Sequence, residues 1–142
     1  MEKEFVPYEL AVKLKAIGFD EPCFGWFRST RIPSNFTEYF LETEFGMSES
    51  PSDWVNSNFL DKACSAPLYQ QAFRWFREKY GLRIRNYGSI NYSGELSEYF
   101  EIFKYGYGTS DKSLSIEIGA LTYEEAELDC LEKLIEIVEQ KK

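Results

Sequence analysis

Histidine is absent from the 142-residue chain. That absence removes the commonest general base, the histidine-containing nucleophile triads, and every zinc site except those built from cysteine and carboxylate alone. Cysteine is scarce. Cys23, Cys64 and Cys130 form no CxxC pair, and an odd number leaves one thiol unpaired in a monomer. Such usage fits a reduced, cytoplasmic setting with cysteine as a small buried hydrophobe. No apolar run approaches the length of a membrane span and no secretory segment opens the chain, so no membrane partner is expected and the sequons at Asn35 and Asn91 carry no weight. Positive charge is also in short supply: 16 Lys and Arg face 24 Asp and Glu, for a net charge of −8. Binding to duplex nucleic acid rests on neutralising phosphates, so that partner is not expected either. No repeat or linker divides the sequence, and its length suits one domain over residues 1–142.

Aromatic residues are abundant, at 18% of the chain. Most are expected in the core, with enough left over to serve as surface contacts. The arginines are segregated. All six lie in two positive stretches: residues 24–34, with net charge +2, hold Arg28 and Arg31, and residues 66–94, with net charge +4, hold Arg74, Arg77, Arg83 and Arg85.

The chain is organised around the stretch from Ser65 to Gly81. Ser65 as cap, Pro67 in the first turn and Gly81 at the end predict a helix there. Tyr69, Ala72, Phe73, Phe76 and Tyr80 form its apolar face, and Gln70, Arg74 and Arg77 line another. Before it, Phe5 to Phe19 predicts a short helix ended by Gly18, and residues 23–28 read as an aromatic strand. Residues 34–64 are the least legible: a loop is expected at Ser48–Ser52, a short helix around Trp54–Leu60, and any flap would fall there.

After the central helix, residues 82–87 alternate apolar and polar and extend as a strand toward Tyr92. Residues 99–105 alternate too, with Tyr99, Glu101 and Phe103 on one side. Gly106–Lys112 reads as a hairpin connection, and Leu114, Ile116 and Ile118 mark a third strand. The glycines of that connection are wrongly spaced for a phosphate loop and a strand follows them, so no nucleotide-binding loop is assigned. Thr122 and Glu125 form a capping box, with Leu121 placed to staple onto Ala126 and Tyr123, Ala126, Cys130, Leu131, Leu134, Ile137 and Val138 on the apolar face. The expected fold is a single α+β domain: an antiparallel sheet of three to four strands with helices on one face, its C-terminal part ordered α-β-β-β-α, and the N-terminal helix and strand extending that layer.

Three blocks carry a resemblance: Glu21-Pro22-Cys23-Phe24-Gly25, the run from Ala66 to Tyr80, and the run from Tyr123 to Leu134. The chain resembles short uncharacterised proteins encoded by bacteriophages and bacterial mobile elements. The resemblance implies a bacterial host cytoplasm and no particular activity. The α-β-β-β-α order also resembles a double-stranded-RNA-binding domain in topology alone. Such domains place lysines at the start of their last helix, where this chain has Thr122-Tyr123-Glu124-Glu125.

The expected role is binding rather than catalysis, with no catalytic residue, metal or cofactor assigned. The partner is a host protein, or a small anionic, nucleotide-like ligand sequestered as counter-defence. The candidate ligand-binding residues are Arg28, Arg31, Arg74, Arg77, Arg83 and Arg85, with Trp26, Trp75 and Tyr87 as stacking planes. Guanidinium forks grip phosphate or carboxylate at two points and stack on rings; the competing account is ordinary surface ion pairing. Two other classes stay open: a carboxylate- and metal-dependent enzyme acting on a phosphorylated substrate, and a structural protein of the virion or a homo-oligomer.

Overall fold

Gly18 ends the first helix by a backbone device that side chains cannot copy. Helix α1 spans Tyr8–Ala16. Gly18 adopts φ +99°, its N–H bonds to the carbonyl of Lys15, and Phe19 N–H reaches back to Leu14 O at 2.9 Å. This is a Schellman closure, and Phe19 is buried beside it. The computed structural model describes residues 2–31, 37–43, 55–58, 63–90, 94, 96–108 and 110–141, and its contacts group into two units, Met1–Leu68 and Tyr69–Lys142. The architecture is α+β.

In the first unit, α1 buries Leu10, Ala11 and Leu14. Strand β1 (Gly25–Arg31) pairs antiparallel with β2 (Thr37–Thr43) on one side and with the two-residue β3 (Cys64–Ser65) on the other. Tyr8 meets Phe27 edge to face at 5.5 Å. The aromatic strand thus belongs to a sheet of its own rather than to the C-terminal sheet. Its partner β2 lies in the stretch that alternation alone left unread. Of the other expectations for residues 34–64, a 3-10 turn stands at Asn56–Asn58; the loop at 48–52 and the rest of the short helix and flap lie outside the described residues.

Asn56, 5% exposed, ties this unit together. Its Nδ2 donates to Phe19 O at 2.7 Å and its Oδ1 accepts from Ser65 N–H at 2.8 Å. These bonds correct the expected helix start. Ser65 is no cap: its backbone is held by β1 and Asn56, Pro67 O accepts from Val6 N–H, and Leu68 bridges Phe5.

In the second unit, α2 (Tyr69–Tyr80) leads into the antiparallel strands β4 (Arg83–Ile90), β5 (Leu96–Tyr105) and β6 (Lys112–Ala120), ordered β4-β5-β6, and α3 (Tyr123–Gln140) closes the chain. The order is the expected α-β-β-β-α. Alternation puts Phe100 and Ile102 into the core with α3's Ala126, Cys130, Leu131, Leu134 and Ile135, while Tyr99 and Glu101 share the other face with Tyr87 and Arg85. The β5–β6 turn is closed by Gly106 N–H bonding to Asp111 O, with Gly108 at φ +70°. Thr122 Oγ1 caps α3 by accepting from Glu125 N–H at 3.2 Å. The staple does not close, since Leu121 is 74% exposed.

Candidate functional site

Helix α2 buries Tyr69, Ala72, Phe73, Trp75 and Phe76, so helical geometry turns Gln70, Arg74 and Arg77 outward along one stripe. Gly81, at φ +70°, then stops the helix, Leu82 is fully buried, and the next residue, Arg83, opens β4. The tight reversal sets the polar stripe of α2 beside the beginning of β4. Between them lies a cleft of about 270 Å³. Its cationic rim is Arg74, Arg77 and Arg83, with the carboxamides of Gln70 and Asn86 beside them. Its apolar lining is Phe73, Ile84, Phe100 and Phe103, with Tyr123 from the first turn of α3.

Arg74, Arg77 and Arg83 are exposed, and none is held in an ion pair among the described residues. Asn86 Nδ2 donates to Tyr99 O at 3.1 Å, which fixes its carboxamide at the cleft wall. Tyr123 is 40% exposed and its ring lies 5.5 Å from that of Phe100. The arrangement offers three guanidinium forks over an aromatic wall, which suits carboxylate or phosphate on an apolar body.

Arg85 does not join this group. It stands directly opposite Glu101 across the β4–β5 ladder and pairs with it. Lys112 pairs with the other carboxylate oxygen, and Ser115 Oγ donates to it at 3.3 Å. Both cations also lie over the Phe103 ring, Lys112 at 4.9 Å and Arg85 at 5.9 Å. The hydrogen bond from Lys112, then that from Arg85, holds the Glu101 carboxyl below its usual range. This cluster has a structural purpose. Glu101 and Glu117 are direct cross-strand partners, a like-charge pair that destabilises a sheet unless neutralised. Arg85 and Lys112 neutralise one member, and Tyr87 hydrogen-bonds the other. The Tyr87 proton is held more tightly than usual, first by partial loss of water and then by that bond to Glu117.

The other candidates divide. Trp75 is 6% exposed and its indole meets Phe76 at 5.0 Å and Tyr80 at 5.4 Å, so it is core rather than a ligand platform. Tyr87 stacks on Tyr99 at 5.5 Å on the sheet face that carries Arg85. Trp26 is half-buried in β1. Arg28 and Arg31 sit in β1 opposite Phe40 and Thr37, in the first unit. Of the nine candidates, the cleft therefore gathers Arg74, Arg77 and Arg83. Gln70 shares the stripe read from helical spacing, whereas Asn86, Phe100, Phe103 and Tyr123 were not anticipated there. The β4–β5 register places Phe103 opposite Arg83 and Phe100 opposite Asn86, and nothing in the linear pattern fixes that register or brings Tyr123 to them.

The three thiols are buried, and burial pushes each up to about 12. Among the described residues no group of three or more Cys, Asp or Glu is placed to hold a metal ion, and no helix is long and apolar enough to cross a membrane. No family model, curated protein or solved structure matches the chain. The chemistry rests on its own residues.

Proposed function

We propose that the chain is a non-catalytic accessory protein of a bacteriophage or bacterial mobile element that acts in the host cytoplasm by binding a host protein, with Arg74, Arg77 and Arg83 as anchors. One observation carries this reading: three guanidinium groups without an ion-pair partner among the described residues rim a single aromatic-walled cleft in a chain of net charge −8. Arginine and tyrosine dominate binding hot spots, because a fork or ring at the centre of an interface keeps its contacts once water is excluded. The exposure of the cleft's polar rim favours a macromolecular partner over an enclosed small ligand. Sites that enclose small molecules typically measure about 300–1,000 Å³ and bury most of the ligand. This one measures about 270 Å³ and its five polar side chains are all exposed.

Crosslinking in host lysate, with mass spectrometry of the products, tests the reading. A host protein captured by the native chain should be lost with the Arg74→Glu/Arg77→Glu variant at unchanged circular dichroism. Capture that survives charge reversal places the interface elsewhere. The second reading, a sequestered nucleotide-like anion serving counter-defence, is favoured by the same three forks beside aromatic rings. Thermal shift against mono-, di- and cyclic nucleotides decides it: no stabilisation at millimolar ligand removes it, and stabilisation lost in Arg83→Ala would replace the first reading.

A further inference from the structure

Among the described residues, the cleft borders a sheet edge that no further strand covers. Strand β4 is the first strand in the order β4-β5-β6, so among the described residues β5 is its one neighbour. Every second residue of an edge strand presents its N–H and C=O outward, unpaired by the sheet. Helix α2 lies beside this edge, and the groove between them carries Arg74 and Arg77 on the helix side and Arg83 on the strand. A groove between a helix and an open edge strand can take an extended peptide as an added strand: main-chain hydrogen bonds supply affinity and alternate side chains supply specificity.

We infer that the partner segment is an extended acidic peptide that adds to the β4 edge as a fourth strand, with one alternate set of carboxylates toward Arg74 and Arg77 on the α2 side and a further carboxylate beside Arg83 at the start of β4. The inference rests on the protein-binding reading above and names the chemistry of the partner. Spacing permits it: carboxylates two residues apart on a strand are about 6.8 Å apart, and Arg74 and Arg77 are separated by about 4.5 Å of helix rise, a difference that two long side chains absorb. Charge selects this edge and this partner. The opposite edge, β6, leads into α3, whose exposed Glu124, Glu125 and Asp129 would repel an acidic strand. In-register parallel pairing of two β4 strands would set Arg83 beside Arg83 and Arg85 beside Arg85, and like charges on paired strands oppose that self-association. An acidic strand from another protein meets neither obstacle.

The test uses the full chain and fluorescein-labelled, doubly capped nonapeptides with Glu at alternate positions and Val, Thr, Tyr or Leu between them, read by fluorescence anisotropy. The best binder is remade with N-methyl groups on the odd residues, on the even residues, and with Lys in place of Glu. Strand addition uses the N–H groups of one alternate set. One N-methyl series should therefore bind at least tenfold more weakly while the other binds as before. The Lys peptide and the Arg74→Ala and Arg83→Ala variants should each weaken binding at least tenfold, with melting temperature unchanged. In the complex, the outward amides of β4 should gain hydrogen-exchange protection. Equal binding by the two N-methyl series overturns strand addition and leaves arginine-anchored protein binding standing. Peptides that fail to bind at millimolar concentration also overturn it. If nucleotides stabilise the chain through Arg83 in that case, the protein-binding reading fails with it.

Discussion

Asn56 serves two backbone groups at once, Phe19 O and Ser65 N–H, from inside the first unit. Removing its carboxamide strands both without water, so Asn56→Ala should cost about 2–3 kcal/mol in a denaturant titration; an unchanged midpoint would mean water replaces it. Gly119 is a different kind of constraint. A Cβ there would stand 2.7 Å from Tyr99 Cε1, because the Tyr99 ring lies against the glycine opposite it in the neighbouring strand. Gly119→Ala should therefore destabilise the native chain yet be neutral or stabilising in a Tyr99→Ala background, with a coupling of about 1 kcal/mol in the double-mutant cycle. Glu101 carries the acid sensitivity of this sheet. Its folded pKa lies below its unfolded one, so its contribution is full above the ordinary carboxylate range and is lost as pH falls through the folded value. Glu101→Gln should lower the urea midpoint at neutral pH and flatten its fall in acid. The thiols act at the other end of the scale. Their folded pKa values are raised to about 12, so their contribution is full below the unfolded thiol value and fades as pH climbs toward 12. A thiol reagent at pH 8 should leave all three unmodified in the native chain and label all three in denaturant.

At the scale of elements, termination proved more legible than initiation. Gly18 and Gly81 were read as helix stops, and both take positive φ, a conformation that costs other residues about 1–2 kcal/mol. Gly18→Ala should lower stability by that amount. Starts depend on competition for backbone groups. Ser65 and Pro67 carry the signature of a helix N-terminus, but β1, Asn56 and Val6 take their N–H and C=O groups first, so α2 begins at Tyr69. Where nothing competes, the signature holds: Thr122 caps α3, and Thr122→Ala should cost about 1 kcal/mol. Leu121 is exposed, and Leu121→Ser should change stability by less than about 0.5 kcal/mol. Strand β2 went unread because its alternation of Glu38, Phe40 and Glu42 with Tyr39 and Leu41 gains meaning only beside β1. The cleft followed the same pattern. The stripe of Gln70, Arg74 and Arg77 follows from helical spacing, whereas Arg83 and Arg85, two residues apart, part company because Arg85 faces a carboxylate across the ladder.

For the molecule as a whole, an acidic body with a local cationic cleft makes association dependent on the medium. The affinity of an acidic partner should fall as salt rises from 50 to 500 mM, because exposed guanidinium groups are screened. With a pI near 4.7 the chain should be least soluble close to that pH. Sequence by itself determined the α+β class, the α-β-β-β-α order of the second unit, the helix stops and the inertness of a chain without histidine to His-based catalysis, because these depend on composition and on periods of two and 3.6 residues. Tertiary structure alone decided which arginines share a cleft, which carboxylate bridges Arg85 to Lys112, and why Trp75 is core. Those outcomes depend on register and on what stands across the ladder or beneath the helix, and contacts between residues far apart in the chain leave no periodic trace in the linear order.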